Sequence, residues 1–238
     1  MTRSLAAFDL RQLRALLRGD AASLRDWLER SEARRAGFYC AVILAGAGLF
    51  GMAMGCWRSG LQALYTGIKV PLVVLLTTAA NALVNGMLAP LLGLRMGFRQ
   101  CFLVILMSFT IAAVMLAAFS PLAAFIVWNT PPLTAATCQT SPEFAFLKIT
   151  LTVFIAVAGV TANVRLLPLL GDWTGSVAVA RKVLLAWLAV NLLLGSQICW
   201  VLRPFIWDPE RPVEFIMPES YRGSFYEEVF EDVREMIF

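Results

Sequence analysis

The sequence predicts an all-α fold: a polytopic transmembrane helical bundle of about five spans, with the N-terminus cytoplasmic and the C-terminus outside. Three observations lead there. Between Ala36 and Leu202 acidic residues appear only twice, as Glu143 and Asp172. The whole chain is 59% hydrophobic and 15% charged, with a mean hydropathy of +0.73, well away from the balance of soluble domains. The apolar runs are continuous, without the alternation of barrel strands, so helices are the expected way to satisfy backbone groups in hydrocarbon.

The first 35 residues form an arm with eight arginines and five acidic residues. It has no separate apolar core and no cleavage-like site before the first span, so that span reads as a retained anchor. Leu10, Leu13 and Leu17 fall on one side of a short helix and Arg11, Arg14 and Arg18 on another. Leu24, Trp27 and Leu28 follow after a break at Gly19-Asp20. Such helices lie on anionic lipid, or are simply the basic flank that orients the first span.

Crossing a hydrocarbon core takes roughly 20 helical residues. Spans are accordingly expected at about 36–57, 70–94, 100–128, 148–168 and 183–202, the fourth completed by Lys148 snorkelling to the interface. Pro71 suits the first turn of the second span. Lys and Arg residues on alternate connecting segments number thirteen against seven, which places the arm in the cytoplasm and the tail outside. Trp57, Trp128, Trp200 and Trp207 fall toward the outer boundary and Trp173 and Trp187 toward the inner one, as an aromatic belt requires.

Within the spans, Ala47, Gly51 and Gly55 recur every four residues, a small-residue stripe that lets another helix approach closely. Thr77, Asn81 and Asn85 share the same spacing on the second span. Amides facing lipid are costly, so these residues must face protein or water. Hydrogen bonding between helices accounts for them; a lined pathway would need ionisable or convergent polar groups from several helices, and Asn163, Asn191 and Gln197 look scattered.

The tail, 203–238, carries nine acidic residues against four arginines. Four prolines break its first part. Ser224 and Glu227 then have capping-box spacing, and Tyr226, Val229, Phe230 and Val233 share one face of an acidic amphipathic helix. Anionic lipid would repel it, so the face packs either on the chain's own loops or into a partner's groove.

Enzyme chemistry fails on inventory. The absence of histidine removes Ser-His and Cys-His pairs and the common zinc sites. Glu143 and Asp172 fall on opposite membrane faces. The five cysteines show no CxxC spacing, so no metal is expected; a disulfide among Cys56, Cys138 and Cys199 would need an oxidising compartment. No cofactor motif is present. The pI near 9.0 is explained by membrane orientation, so nucleic acid is not an expected partner.

The stretch Ile68-Lys69-Val70-Pro71-Leu72 with Thr77-Thr78, Gly93 through Arg99 and Gln100, and Ser120-Pro121 resembles bacterial five-helix membrane proteins loosely similar to the Yip1 family. The likeness covers about residues 58 to 165. It implies a cytosolic N-terminus, five spans and a non-enzymatic role exercised through partners. The Asp-Leu-Tyr-Gly-Pro and Gly-Tyr signatures of eukaryotic members are absent, so no partner-binding residue carries over. The expected function is therefore a non-enzymatic membrane scaffold or accessory subunit of a complex. Its partners would be lipids, other subunits or a second copy, in a bacterial inner membrane. The alternative is a small transporter or channel component built on the polar stripe of the second span.

Overall fold

A computed structural model describes residues 10–19, 33–91, 97–131, 142–203, 205–206, 212–227 and 230; no side chains are described for 10–12, 89 and 142–145. Among the described residues the structure is helical and has no strand. α1 is Leu10–Arg18, α2 Ala33–Gly55, α3 Gly60–Leu91, α4 Phe98–Asn129, α5 Pro142–Thr174 and α6 Val177–Val201. The five helices after α1 are long and apolar enough to cross a membrane, which marks the chain as a membrane protein. Their apolar outer faces fit that setting: Val160, Val164, Leu185 and Leu192 are all exposed on α5 and α6, a surface that water would penalise and lipid would not.

The helices pack in a ring of four. α3 touches α4, α4 touches α5, α5 touches α6, and α6 closes back on α3, while α2 lies in the groove between α3 and α4. Small residues allow the α2 crossings. A Cβ on Gly46 would run into the backbone carbonyl of Ala113 in α4, and one on Gly51 into the carbonyl of Thr66 in α3. One on Gly55 would lie 2.7 Å from the Ala63 Cα. Bulk at these positions would force the helices apart. α4 is the most enclosed helix and joins two cores. One lies at the arm end of the bundle around Tyr39, Leu106, Leu166 and Trp187. The other lies toward the tail end around Phe50, Leu116, Leu151 and the stacked Phe119 and Phe154, whose ring centroids are 4.9 Å apart.

The apolar side of α1 packs on protein: Leu16 is fully buried in the arm-end core, with Leu13 and Leu17 packed against it, and Arg14 and Arg18 are exposed. Gly19, at a φ of 68°, ends the helix, its N–H donating to Leu16 O at 3.1 Å. Trp27 and its neighbours lie outside the described residues.

Helix bounds depart from the expected spans chiefly at α3, which begins at Gly60 instead of Val70 and is 32 residues long, about 48 Å at the helical rise. Pro71 is therefore inside the helix and not in its first turn. Its missing N–H leaves the Gly67 carbonyl without an intrahelical donor. That carbonyl is also where Gly48 of α2 comes close, 3.2 Å from where its Cβ would be. Lys69, expected in a connecting loop, is fully buried within α3. Intramembrane hydroxyls are met by their own helices: Thr110 donates to Leu106 O at 2.8 Å and Ser120 to Leu116 O at 3.0 Å.

Candidate functional site

The most polar surface inside the bundle is one side of α3. Gln62, Thr66, Lys69, Thr77, Asn81 and Asn85 are all buried. Steps of three, four and eight residues hold them on one slowly drifting face.

Against the second half of this face lies α6. A Cβ on Gly195 would sit 3.5 Å from Thr77 Cγ2, so the two helices are in close contact at that level. One turn on, Asn81 Nδ2 donates to Asn191 Oδ1, and Asn85 Nδ2 donates to Asn81 Oδ1. The three amides thus form a relay across the seam. Both helices step by four residues from the Thr77–Gly195 level to the Asn81–Asn191 level, as antiparallel neighbours do. Trp187 is 2% exposed. Its Nε1, the Asn85 Oδ1 and the Thr77 Oγ1 are buried without a hydrogen-bond partner among the described residues. In a low-dielectric interior an unmatched polar group costs about 1–3 kcal/mol, so the seam holds more polar capacity than helix packing needs.

The first half of the face is covered by the tail. Gln62 Nε2 and Thr66 Oγ1 both donate to the Phe205 carbonyl, at 2.8 and 2.9 Å. The Lys69 ammonium lies 5.2 Å from the Phe215 ring centroid and 5.9 Å from that of Phe205, within the reach of cation–π attraction. Tyr65 meets Phe215 edge-on at 5.4 Å.

The same tail is fastened to the end of α6. Met217 N–H donates to Arg203 O at 3.4 Å, Arg203 to Ser220 O at 3.3 Å, and Trp200 Nε1 to Arg222 O at 3.2 Å. The Arg203 guanidinium stacks 3.5 Å over the Trp200 ring. Further on, Ser196 donates to the Tyr226 hydroxyl at 2.8 Å, which itself donates to Leu192 O at 3.1 Å.

The expected site residues therefore divide among three places. Thr77, Asn81 and Asn85 face α6. Gly51 and Gly55 face α3, with Ala47 fully buried beside them. Tyr226 bonds to its own chain and Phe230 is 70% exposed; Val229 and Val233 lie outside the described residues. Asn163 spends its amide on Gly159 O of its own helix, at 2.8 Å. Gln62, Thr66 and Lys69 were missed as site residues, although Lys69 lies two four-residue steps before Thr77, and Thr66 and Gln62 follow at steps of three and four. Cys56 and Cys199 are free thiols, as are Cys40 and Cys101; Cys138 is outside the described residues. Glu143 and Asp172 stand near opposite ends of α5, about 43 Å apart by helical rise.

Comparison with protein-family models, with curated proteins and with solved structures found no match to this chain. It neither supports nor contradicts the likeness to Yip1-like proteins.

Proposed function

We propose that the protein is a non-enzymatic membrane component that binds or passes a small polar solute along the α3–α6 seam. The observation that carries this reading is the buried polar face of α3, Gln62 to Asn85, met by Asn191 of α6. A pathway calls for an ionisable group and convergent polar groups from more than one helix. Lys69 is such a group, and the amide relay is such a convergence. Polar and ionisable side chains inside a membrane are costly and mark solute or proton routes. Helix association alone is obtained more cheaply from small-residue contacts of the kind already present between α2 and α3. The arm end faces the cytoplasm of a bacterial inner membrane in this reading, and the tail end faces outward.

A scaffold or accessory subunit is the second reading, and one observation favours it: the amides already hydrogen-bond one another, as helix glue would. The two readings differ in water access. A cysteine placed at Asn81 or Asn85 should react with a hydrophilic thiol reagent from at least one membrane face, while one at lipid-facing Leu83, 58% exposed, should not. Failure of both seam positions to react would leave the scaffold reading standing and remove the solute reading.

A further inference from the structure

We propose that the junction of α1 with α5 binds the headgroup of an anionic phospholipid, with Arg14, Arg18 and Arg165 as its charged residues. The site stands apart from the α3–α6 seam and does not depend on what the seam does.

α1 brings these residues together through the side it buries. Leu16 is fully buried in the arm-end core and Leu13 and Leu17 pack against it. The apolar side that an interfacial helix would put into lipid is therefore spent on protein. Arg14 and Arg18, one turn apart, are left exposed. Gly19 then ends the helix against α5: a Cβ there would lie 3.6 Å from the Arg165 carbonyl oxygen and 3.9 Å from the Arg165 Cδ. The end of α1 is thus seated on the backbone and aliphatic stem of Arg165, which is itself exposed. Like charges four residues apart on a helix repel, and a third arginine beside the helix end adds to that cost. Attraction to helix carbonyls accounts for Arg18, in the last turn of α1, but not for Arg14 or Arg165. The bias of basic residues toward one membrane face accounts for their number, not for their meeting at one place.

The surroundings of the junction say which anion offsets this charge. Among the described residues, Asp172 is the one carboxylate at this end of the bundle. It lies seven residues past Arg165 on α5, about 10 Å by helical rise, beyond the screening length at physiological salt. Arg181 and Lys182, exposed at the start of α6, extend the positive surface. On the other side of Arg165 come Val164 and Val160, 61% and 64% exposed, which continue a stripe with the exposed Val157 and Val153. Steps of four, three and four residues hold this stripe on one face. A basic surface at the head of an exposed apolar wall matches a molecule with an anionic head and hydrocarbon chains, whereas a soluble anion would use the basic part alone. Arginine forks bond phosphate oxygens in pairs, and basic sites between helices at the membrane surface take such headgroups.

The test titrates the full chain, purified in a neutral detergent, with phosphatidylglycerol or with phosphatidylcholine of the same acyl chains, and counts bound lipid by native mass spectrometry. The chain should prefer phosphatidylglycerol about a hundredfold, and Arg18→Gln with Arg165→Gln should lower that preference about thirtyfold, roughly fivefold for each arginine. Arg18→Lys with Arg165→Lys, which keeps the charge, should retain most of the preference. Arg222→Gln, at an exposed arginine of the tail, should leave it unchanged; a loss equal to that of the double variant would reduce the effect to overall charge and overturn the site. Equal binding of the two lipids by the unaltered chain, or an undiminished preference in the glutamine variant, also overturns it. Displacement of phosphatidylglycerol by millimolar inorganic phosphate would show a site for a soluble anion and contradict the lipid. Should the glutamine variant fail to fold, the unaltered chain still decides the matter through salt. Its preference should collapse between about 0.1 and 1 M sodium chloride, as the screening length falls from about 10 to 3 Å, and a preference that persists overturns the proposal.

Discussion

Asn81 is the residue on which the seam turns, because it accepts from Asn85 and donates to Asn191. Replacing it with leucine strands a donor and an acceptor at once, both in a buried setting. Asn163 makes the contrast: its amide is satisfied by Gly159 O one turn back on α5, and removing it frees a carbonyl that already has its own place in the helix. Asn81→Leu should therefore lower unfolding stability in mild detergent by about 1–2 kcal/mol, the scale of interhelical hydrogen bonds in membranes. Asn163→Leu should cost less. Denaturant titration of the two variants compares them; equal losses would mean that the relay contributes nothing between helices. Asn81 and Asn85 stood out in the sequence from spacing alone. Asn191 did not, because its bond to Asn81 depends on the antiparallel register of helices about 100 residues apart, which no local pattern encodes.

Among elements, α2 and α3 hold the closest packing, and the small residues of α2 show why. Gly51 has the Thr66 carbonyl and the Val70 side chain against it, whereas Leu49, on the far side of the helix, is 52% exposed. Gly51→Leu should lower the temperature at which the protein loses its fold in detergent much more than Leu49→Ala does, since inserted bulk separates two helices and a lipid-side trim changes little. Thermal stability measured by size-exclusion recovery checks it; matching losses would place α2 differently. The stripe of Ala47, Gly51 and Gly55 was legible as a four-residue repeat. Gly46, which faces α4, breaks that repeat and was not. The start of α3 was misread for a related reason: Lys69 and Pro71 are ordinary signs of a span boundary, and the Phe205 and Phe215 rings that meet Lys69 come from more than 130 residues further along the chain. The destination of the tail itself was open between self-packing and partner docking. Tyr226 and Phe205 answer for the self-packed part, through bonds to Leu192 O, Gln62 and Thr66.

For the whole molecule, five apolar helices with short connections account for the composition, the charge distribution and the grouping of tryptophans. Trp57, Trp128 and Trp200 belong to helix ends at the tail end of the bundle, and Trp173 to the arm end. That much of the fold was carried by hydropathy and by the long intervals without acidic residues, because a bilayer imposes span length and backbone satisfaction more strictly than water does. Which helices touch was not legible, since lipid-facing and buried positions are equally apolar here and hydrophobic periodicity loses its meaning. The placement of the two ends on opposite faces depends on an odd number of crossings. Fusing a reporter that is active only in the cytoplasm after Arg35, and again after Phe238, tests this most directly. The account predicts activity from the first fusion and none from the second, placing the ends on opposite faces; activity from both, or from neither, would contradict the five-span bundle.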